Sequence, residues 1–170
     1  VPIPSLLAVS SVHNHLITVG VRTFADFVVE TGDAISAHDF AALIGYSASG
    51  IYPYMAHECI ASLAEKGAIE VSAEEGIANY NKAVLAGVIS IMSKMGISTI
   101  QSYHSAQIFE AVGFKQEFVD KHFAGTVSRV GGLGVNDVER EENQRYDDAV
   151  AILESPAPCL LYTSAAADDL

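Results

Sequence analysis

Thr23-Phe24-Ala25-Asp26-Phe27-Val28-Val29-Glu30-Thr31-Gly32-Asp33 is the stretch that sets the fold class. Residues 23–30 are rich in β-branched and aromatic types, and Thr31-Gly32-Asp33 closes the run as a turn, so 23–30 reads as a strand. Ser36 stands three positions before Asp39 and an apolar run follows, a capping-box-like start for a helix over about 37–46. Gly50-Ile51-Tyr52-Pro53-Tyr54 is then a short strand that ends near its proline. Strand, helix and strand in this order call for parallel strands joined by helical crossovers.

The same alternation extends outward. Upstream, residues 5–19 are apolar and Gly20 follows, which fits a helix with a glycine cap. Downstream, a helix from Met55 to Lys66 stops at Gly67. Ser72 and Glu75 open the best-defined helix of the chain, with Tyr80, Val84, Val88, Ile91 and Met95 on one face, Met92 widening the stripe and Gly96 as the cap. Ile97 to Gln101 reads as a buried strand. Ser105 to Val112 reads as a helix ended by Gly113, and Glu117 to Phe123 as another short one. Gly125-Thr126 and Gly131-Gly132-Leu133-Gly134 read as loop. Asn136 with Glu139 caps a last helix to about Leu153, whose positions 137–148 carry six acids against two Arg, a solvated face. Three strands are too few for a closed barrel. The expected class is therefore α/β: a partial parallel β/α architecture, a slice of a larger barrel-like domain.

Composition agrees with a folded chain. Of 170 residues, 50% are hydrophobic and 18% charged, enough to bury a core. Nine Lys plus Arg against 21 Asp plus Glu give a net charge of -12, which argues against nucleic acid or an anionic membrane as the main partner. No run reaches the length of a membrane-spanning helix. The start lacks the basic region of a secretory signal, and Val1-Pro2-Ile3-Pro4 reads as mid-sequence. Two cysteines, Cys59 and Cys159, are too few for a disulfide scaffold, and a reducing compartment is the simplest setting. The stretch from Cys159 to Leu170 resembles the translation of a sequencing adapter. It is set aside from fold reasoning, the alternative being an ordinary flexible C-terminus.

The candidate chemistry is thin. His13 and His15 would share a face on a strand and could bind metal. On a helix, two positions apart, they point nearly opposite ways. His57-Glu58 begins like H-E-x-x-H, but Ala61 stands where the second His belongs. Cys59 reads as a buried, inert thiol in mid-helix. Gly131-Gly132-Leu133-Gly134 before a helix could cradle a phosphate, yet it lacks the spacing of a nucleotide loop, and a plain turn is favoured. Gln101-Ser102-Tyr103-His104 follows an expected strand, at the carboxyl edge where ligands bind in parallel sheets, with capping by Ser102 or Ser105 as the alternative. Glu30 lies on the same edge. No catalytic, cofactor-binding or metal residue is assigned from these patterns.

Longer blocks say more. Met92-Ser93-Lys94-Met95-Gly96-Ile97-Ser98-Thr99, Ser102-Tyr103 and Ala106-Gln107-Ile108-Phe109-Glu110-Ala111 resemble the large subunit of glutamate synthase, whose pattern reads close to M-S-K-M-G-I-S-T-x-x-S-Y-x-G-A-Q-I-F-E-A. Leu6-Leu7-Ala8-Val9 with Val12-His13 and His15-Leu16-Ile17, Val28-Val29-Glu30-Thr31-Gly32, Leu43-Ile44-Gly45-Tyr46 with Pro53-Tyr54, and Phe123-Ala124-Gly125-Thr126 with Ser128-Arg129-Val130-Gly131-Gly132 match further blocks in the family's order. Three positions depart from the pattern. Ser47 and Ser105 stand where the family has Gly, and His38-Asp39 where it often has His-His.

The resemblance implies a place in a larger enzyme that makes two glutamates from glutamine and 2-oxoglutarate. In that family an N-terminal cysteine hydrolyses glutamine, and ammonia crosses a tunnel to an FMN barrel. The barrel receives electrons through an iron–sulfur cluster from NAD(P)H or ferredoxin. By this resemblance residues 1–124 are the C-terminal part of the central domain, 125–155 the connection towards the FMN-binding barrel, and 156–170 a non-native tail. It implies no cofactor held by this segment, with FMN and the iron–sulfur cluster elsewhere in the parent. The implied partners are the glutaminase domain and FMN barrel of the same polypeptide, and a small subunit or ferredoxin. The implied location is the cytoplasm, or the plastid stroma in a plant or alga. Residues 97–107, with Gln101 and Gln107, are expected near the tunnel or barrel. The alternative is a free-standing, non-catalytic α/β binding module derived from the same domain.

Overall fold

The computed structural model describes residues 3–154. Of these, 3–132 form one compact unit and 133–154 belong to a second. The tail expected from 156 onward, Cys159 included, lies outside the described residues.

The first unit is built around a parallel β-α-β core. α1 (Ser5–Thr18) leads into β1 (Val28–Glu30), α2 (Ala37–Gly45) and β2 (Gly50–Tyr52). β1 and β2 pair in parallel with Val28 opposite Gly50, Val29 opposite Ile51 and Glu30 opposite Tyr52. α2 is the crossover. Its start is fixed by the capping box of Ser36 and Asp39: Asp39 Oδ2 accepts from Ser36 N at 2.7 Å and from Ile35 N at 3.1 Å. α3 (Tyr54–Glu65) and α4 (Ala73–Lys94) follow, with Ser72 Oγ accepting from Glu75 N at the head of α4. Gly20, Gly67 and Gly96, at φ 75°, 68° and 72°, terminate α1, α3 and α4 as the sequence indicates. α5 (Ile100–Tyr103), β3 (Glu110–Phe114), α6 (Gln116–His122) and β4 (Val127–Leu133) complete the chain before α7 (Val135–Glu154). β3 and β4 form a second two-stranded sheet.

The core joins Val9 of α1, Phe40, Ala41 and Leu43 of α2, Val88 and Met92 of α4 and Tyr103 of α5, with Ala34 and Ala48 from the connections. Tyr80, Val84 and Ile91 pack against it as the stripe on α4 requires. Met95 does not. It is 47% exposed because the helix ends there and the turn at Gly96 carries the chain away.

Several elements differ from the sequence expectation, each for an identifiable physical reason. The strand expected over 23–30 is shortened to Val28–Glu30, and Arg22–Phe24 form a 3-10 turn. Arg22 Nη1 donates to Ala25 O at 2.5 Å and its guanidinium lies 4.3 Å from the Phe27 ring centre, which folds the chain back on itself. Residues 97–101 form no strand. Ile97 N is taken by Met92 O at 3.0 Å, and Thr99 Oγ1 accepts from Ser102 N, so caps on both sides use the backbone groups a sheet would need. The helix expected over 105–112 is absent, because Ser105 and Gln107 sit at positive φ and Glu110–Phe114 pairs with β4. Gly131-Gly132-Leu133 are strand, not loop. A Cβ at Gly132 would lie 2.8 Å from Gly113 O, so these strands meet where side chains are missing. Finally, α7 starts at Val135, one residue before Asn136, and Asp137 Oδ2, not Glu139, accepts from Gly134 N at 2.9 Å.

Candidate functional site

The described residues offer one cleft that gathers polar side chains from four segments of the first unit. It has a volume of about 420 Å³. α1 supplies Ser10, His13 and Asn14, the end of α2 supplies Gly45 and Tyr46, the turn after α5 supplies Ser105 and Gln107, and the loop after α6 supplies Gly125 and Thr126.

Each wall is held by an identifiable contact. α6 is tied to α1 through His122, whose carbonyl accepts from Ser10 Oγ and, at 3.0 Å, from Asn14 Nδ2, while Ser11 Oγ meets its Nδ1 at 2.8 Å. Burial lowers the His122 pKa, and the Lys121 charge adds to it. Tyr46 stacks on Phe109 at 5.8 Å, meets Phe123 edge-on at 5.3 Å and shares a hydrogen bond of 2.7 Å with Thr126 Oγ1. Gly45 leaves room for Phe109: a Cβ there would stand 2.4 Å from the ring. The Gln107 amide rests on Gly125, where a Cβ would fall 2.2 Å from Nε2.

His13 decides what the cleft can do. Arg22 Nε, which can only donate, points at His13 Nδ1 at 2.9 Å. Nδ1 is therefore the acceptor, and the neutral ring carries its proton on Nε2, 3.3 Å from Ser105 Oγ. Burial and then the Arg22 charge hold the His13 pKa below 6.5, which keeps the ring neutral. A base that would take the Ser105 proton needs a free lone pair on Nε2, and this one has none. His13 is a hydrogen-bond donor, and Ser105 with His13 does not form a nucleophile–base pair. Among the described residues no carboxylate or Lys lines the cleft.

The other sequence candidates lie apart from it. His15 is exposed on α1, away from His13. His57 bonds Asn81 Oδ1 at 3.0 Å and meets the edges of Tyr52 and Tyr80, a link between α3 and α4. Cys59 is exposed, against the sequence expectation, because α3 packs through Ala56 and Ile60 and turns Cys59 outward. Glu30, Gln101 and Ser102 are exposed. Gln101 and Gln107 are separated by structure: the first lies on α5, the second lines the cleft. Among the described residues no group of three His, Cys, Asp or Glu could hold a metal ion. No helix of the described residues is long and apolar enough to cross a membrane. Sequence reasoning had marked Ser105 and Gln107 but missed Arg22, Tyr46 and Thr126; the departures from glycine at 47 and 105 were the signal available.

Comparison with known proteins gives the family. The family described as glutamate synthase central domain matches residues 1–115. The chain is 47% identical over 148 residues to the glutamate synthase [NADPH] large chain of Bacillus subtilis, covering 87% of this chain and 10% of that protein. It is 48% identical over 151 residues to the ferredoxin-dependent glutamate synthase of Pyropia yezoensis, 83% of this chain and 10% of the relative. With the glutamate synthase [NADH] of Saccharomyces cerevisiae the identity is 43% over 141 residues, 78% and 7%. The chain thus spans about a tenth of the length of the relatives it matches.

Proposed function

The chain belongs to the glutamate synthase central domain family, and from that premise we propose that it serves as scaffold inside a glutamate synthase, between the sites that release and use ammonia. The enzyme would make two glutamates from glutamine and 2-oxoglutarate. Residues 1–124 are then the C-terminal part of the central domain and 125–155 the connection towards the FMN barrel. The other domains of the same polypeptide are its partners.

The observation that carries the scaffold role is the state of His13. The cleft holds a histidine beside a serine, the arrangement most suggestive of catalysis, and the Arg22 bond to Nδ1 places the His13 proton on Nε2, facing the serine. What is left is a set of neutral donors and acceptors that fix four segments against one another.

The residues described do not fit either cofactor of such an enzyme. An iron–sulfur cluster needs several thiolates, and Cys59 is a lone exposed thiol. The glycines at 131–132 that could cradle a flavin phosphate are spent in β4. FMN and the cluster belong to other parts of the enzyme. Relatives named for NADPH, NADH and ferredoxin match at similar identity, so the electron donor is set outside this segment.

The test replaces Gln101 and Gln107 separately with Ala in a full-length glutamate synthase large chain carrying residues 1–132 of this protein. Glutamine hydrolysis and 2-oxoglutarate-dependent glutamate formation are measured in parallel. Gln107→Ala should let hydrolysis run ahead of synthesis, and Gln101→Ala, away from the cleft, should not. Unchanged coupling in Gln107→Ala would sink the idea that this cleft adjoins the ammonia path.

A further inference from the structure

Among the described residues, three that are not glycine adopt a positive φ: Ser47 at 78°, Ser105 at 56° and Gln107 at 50°. Ser105 and Gln107 line the cleft, and Ser47 is hydrogen-bonded to Ser105. Such a backbone costs free energy and persists only where the surroundings over-determine it. Here the surroundings form a closed ring of hydrogen bonds. Ser47 Oγ meets Ser105 Oγ at 2.5 Å, Ser105 Oγ meets His13 Nε2 at 3.3 Å, and His13 Nδ1 accepts from Arg22 Nε at 2.9 Å. Arg22 Nη2 returns to Ser47 O at 3.3 Å. Ser47 is 3% exposed, so its hydroxyl has little access to water as a substitute partner.

We propose that Ser47 and Ser105 act as one matched pair, a positioning device that sets the 105–107 turn and so stands Gln107 in the cleft. Each serine is strained, and each is the other's hydrogen-bond partner. Glycine at 105 alone would leave the buried Ser47 strained and its hydroxyl short of a bond, and glycine at 47 alone would leave Ser105 strained, held only by His13 Nε2 and solvent. Glycine at both would remove strain and unmet bond together. The pair is therefore coupled: the damage of one change is undone by the other. This follows from the φ angles and the ring of bonds, and holds whether or not the cleft adjoins an ammonia path.

The experiment is a double-mutant cycle in the same full-length carrier, with Ser47→Gly, Ser105→Gly and the two combined. The readout is hydrogen exchange of the segment 103–109, in which the Ser105 amide donates to Gly45 O at 2.9 Å. Each single change should speed exchange there by about five- to thirtyfold, and the double variant should return to within about threefold of the parent. Rescue by the second glycine is the outcome that two independent structural serines could not produce. Single effects that multiply in the double variant would overturn the pairing, as would single variants that exchange like the parent. If a single variant loosens the whole unit, the double variant still decides, because failure to recover order refutes the pair.

Discussion

Gly87→Ala should weaken the packing of α4 on α2, although alanine is the better helix former. Gly87 faces Ala37, the first residue of α2, and an added Cβ would stand 2.5 Å from the Ala37 Cβ. Carbon atoms in contact sit at about 3.5–4.0 Å, so one helix has to give by about 1 Å. Neither atom is the tip of a flexible side chain. A shift of that size also strains the contacts that lock the same interface, namely Tyr80 OH to Ile35 O at 2.8 Å and the edge-on pair of Phe40 with Tyr80 at 6.4 Å. Overpacking of this kind costs about 1–3 kcal/mol. Replacing an interior helical glycine returns ~1 kcal/mol. The net loss is therefore about 0–2 kcal/mol, or up to a roughly 30-fold increase in the open fraction. The assay is hydrogen exchange of the α4 amides in the full-length carrier. A second variant, Ala37→Gly combined with Gly87→Ala, removes the clash and should recover protection to within ~1 kcal/mol of the parent. Slower exchange in Gly87→Ala alone, or no recovery in the double variant, would refute the close approach of these helices.

Three further outcomes follow from the packing. Tyr103 is fully buried in the core and its hydroxyl has no hydrogen-bond partner among the described residues, so Tyr103→Phe should hold or raise stability by about 1 kcal/mol, while Tyr103→Ala should lose about 3–5 kcal/mol. Asp39→Ala should cost about 1–2 kcal/mol, seen as fraying at the start of α2, since it deletes the acceptor for Ile35 N, Ser36 N and Ser36 Oγ. His13 has a folded pKa below 6.5, lowered by burial and then by Arg22, so the unfolded chain takes up the proton first as pH falls. Its contribution is whole above pH 6.5 and drains below it, so the parent should lose stability more steeply than His13→Gln over that window. A residual slope is expected in the variant, because His122 is lowered by burial and Lys121 and carries the same sign. Equal slopes in parent and variant would contradict the His13 assignment.

The first half of the fold, from α1 to α4, is legible in the sequence wherever a local rule governs. The helix starts at Ser36 and Ser72, the helix stops at Gly20, Gly67 and Gly96 and the stripe on α4 all rest on contacts within about four residues. Reading failed where other partners competed for the chain. Ile97 and Thr99 look like a strand by composition, but the Ile97 amide donates to Met92 O at the end of α4 and the Thr99 hydroxyl caps α5 by accepting from Ser102 N. Residues 105–112 have a helix former's composition, yet the ring through Arg22, His13 and Ser47 bends the chain at Ser105.

The site divides along the same line. By itself the sequence determined the family, through long ordered blocks, and the parallel β-α-β start of the fold, through strand and cap signals. It also marked serine at 47 and 105 as departures from the family's glycine. Only the tertiary structure decided that these two serines touch, that Arg22 fixes the proton of His13 on Nε2, and that Gln107 rather than Gln101 enters the cleft. The physical reason is range. Caps and periodic faces are set by neighbours in the chain, whereas the ring bonds Ser47 to Ser105 and Ser105 to His13 across dozens of residues, and no local pattern encodes which distant hydroxyl will meet which ring nitrogen.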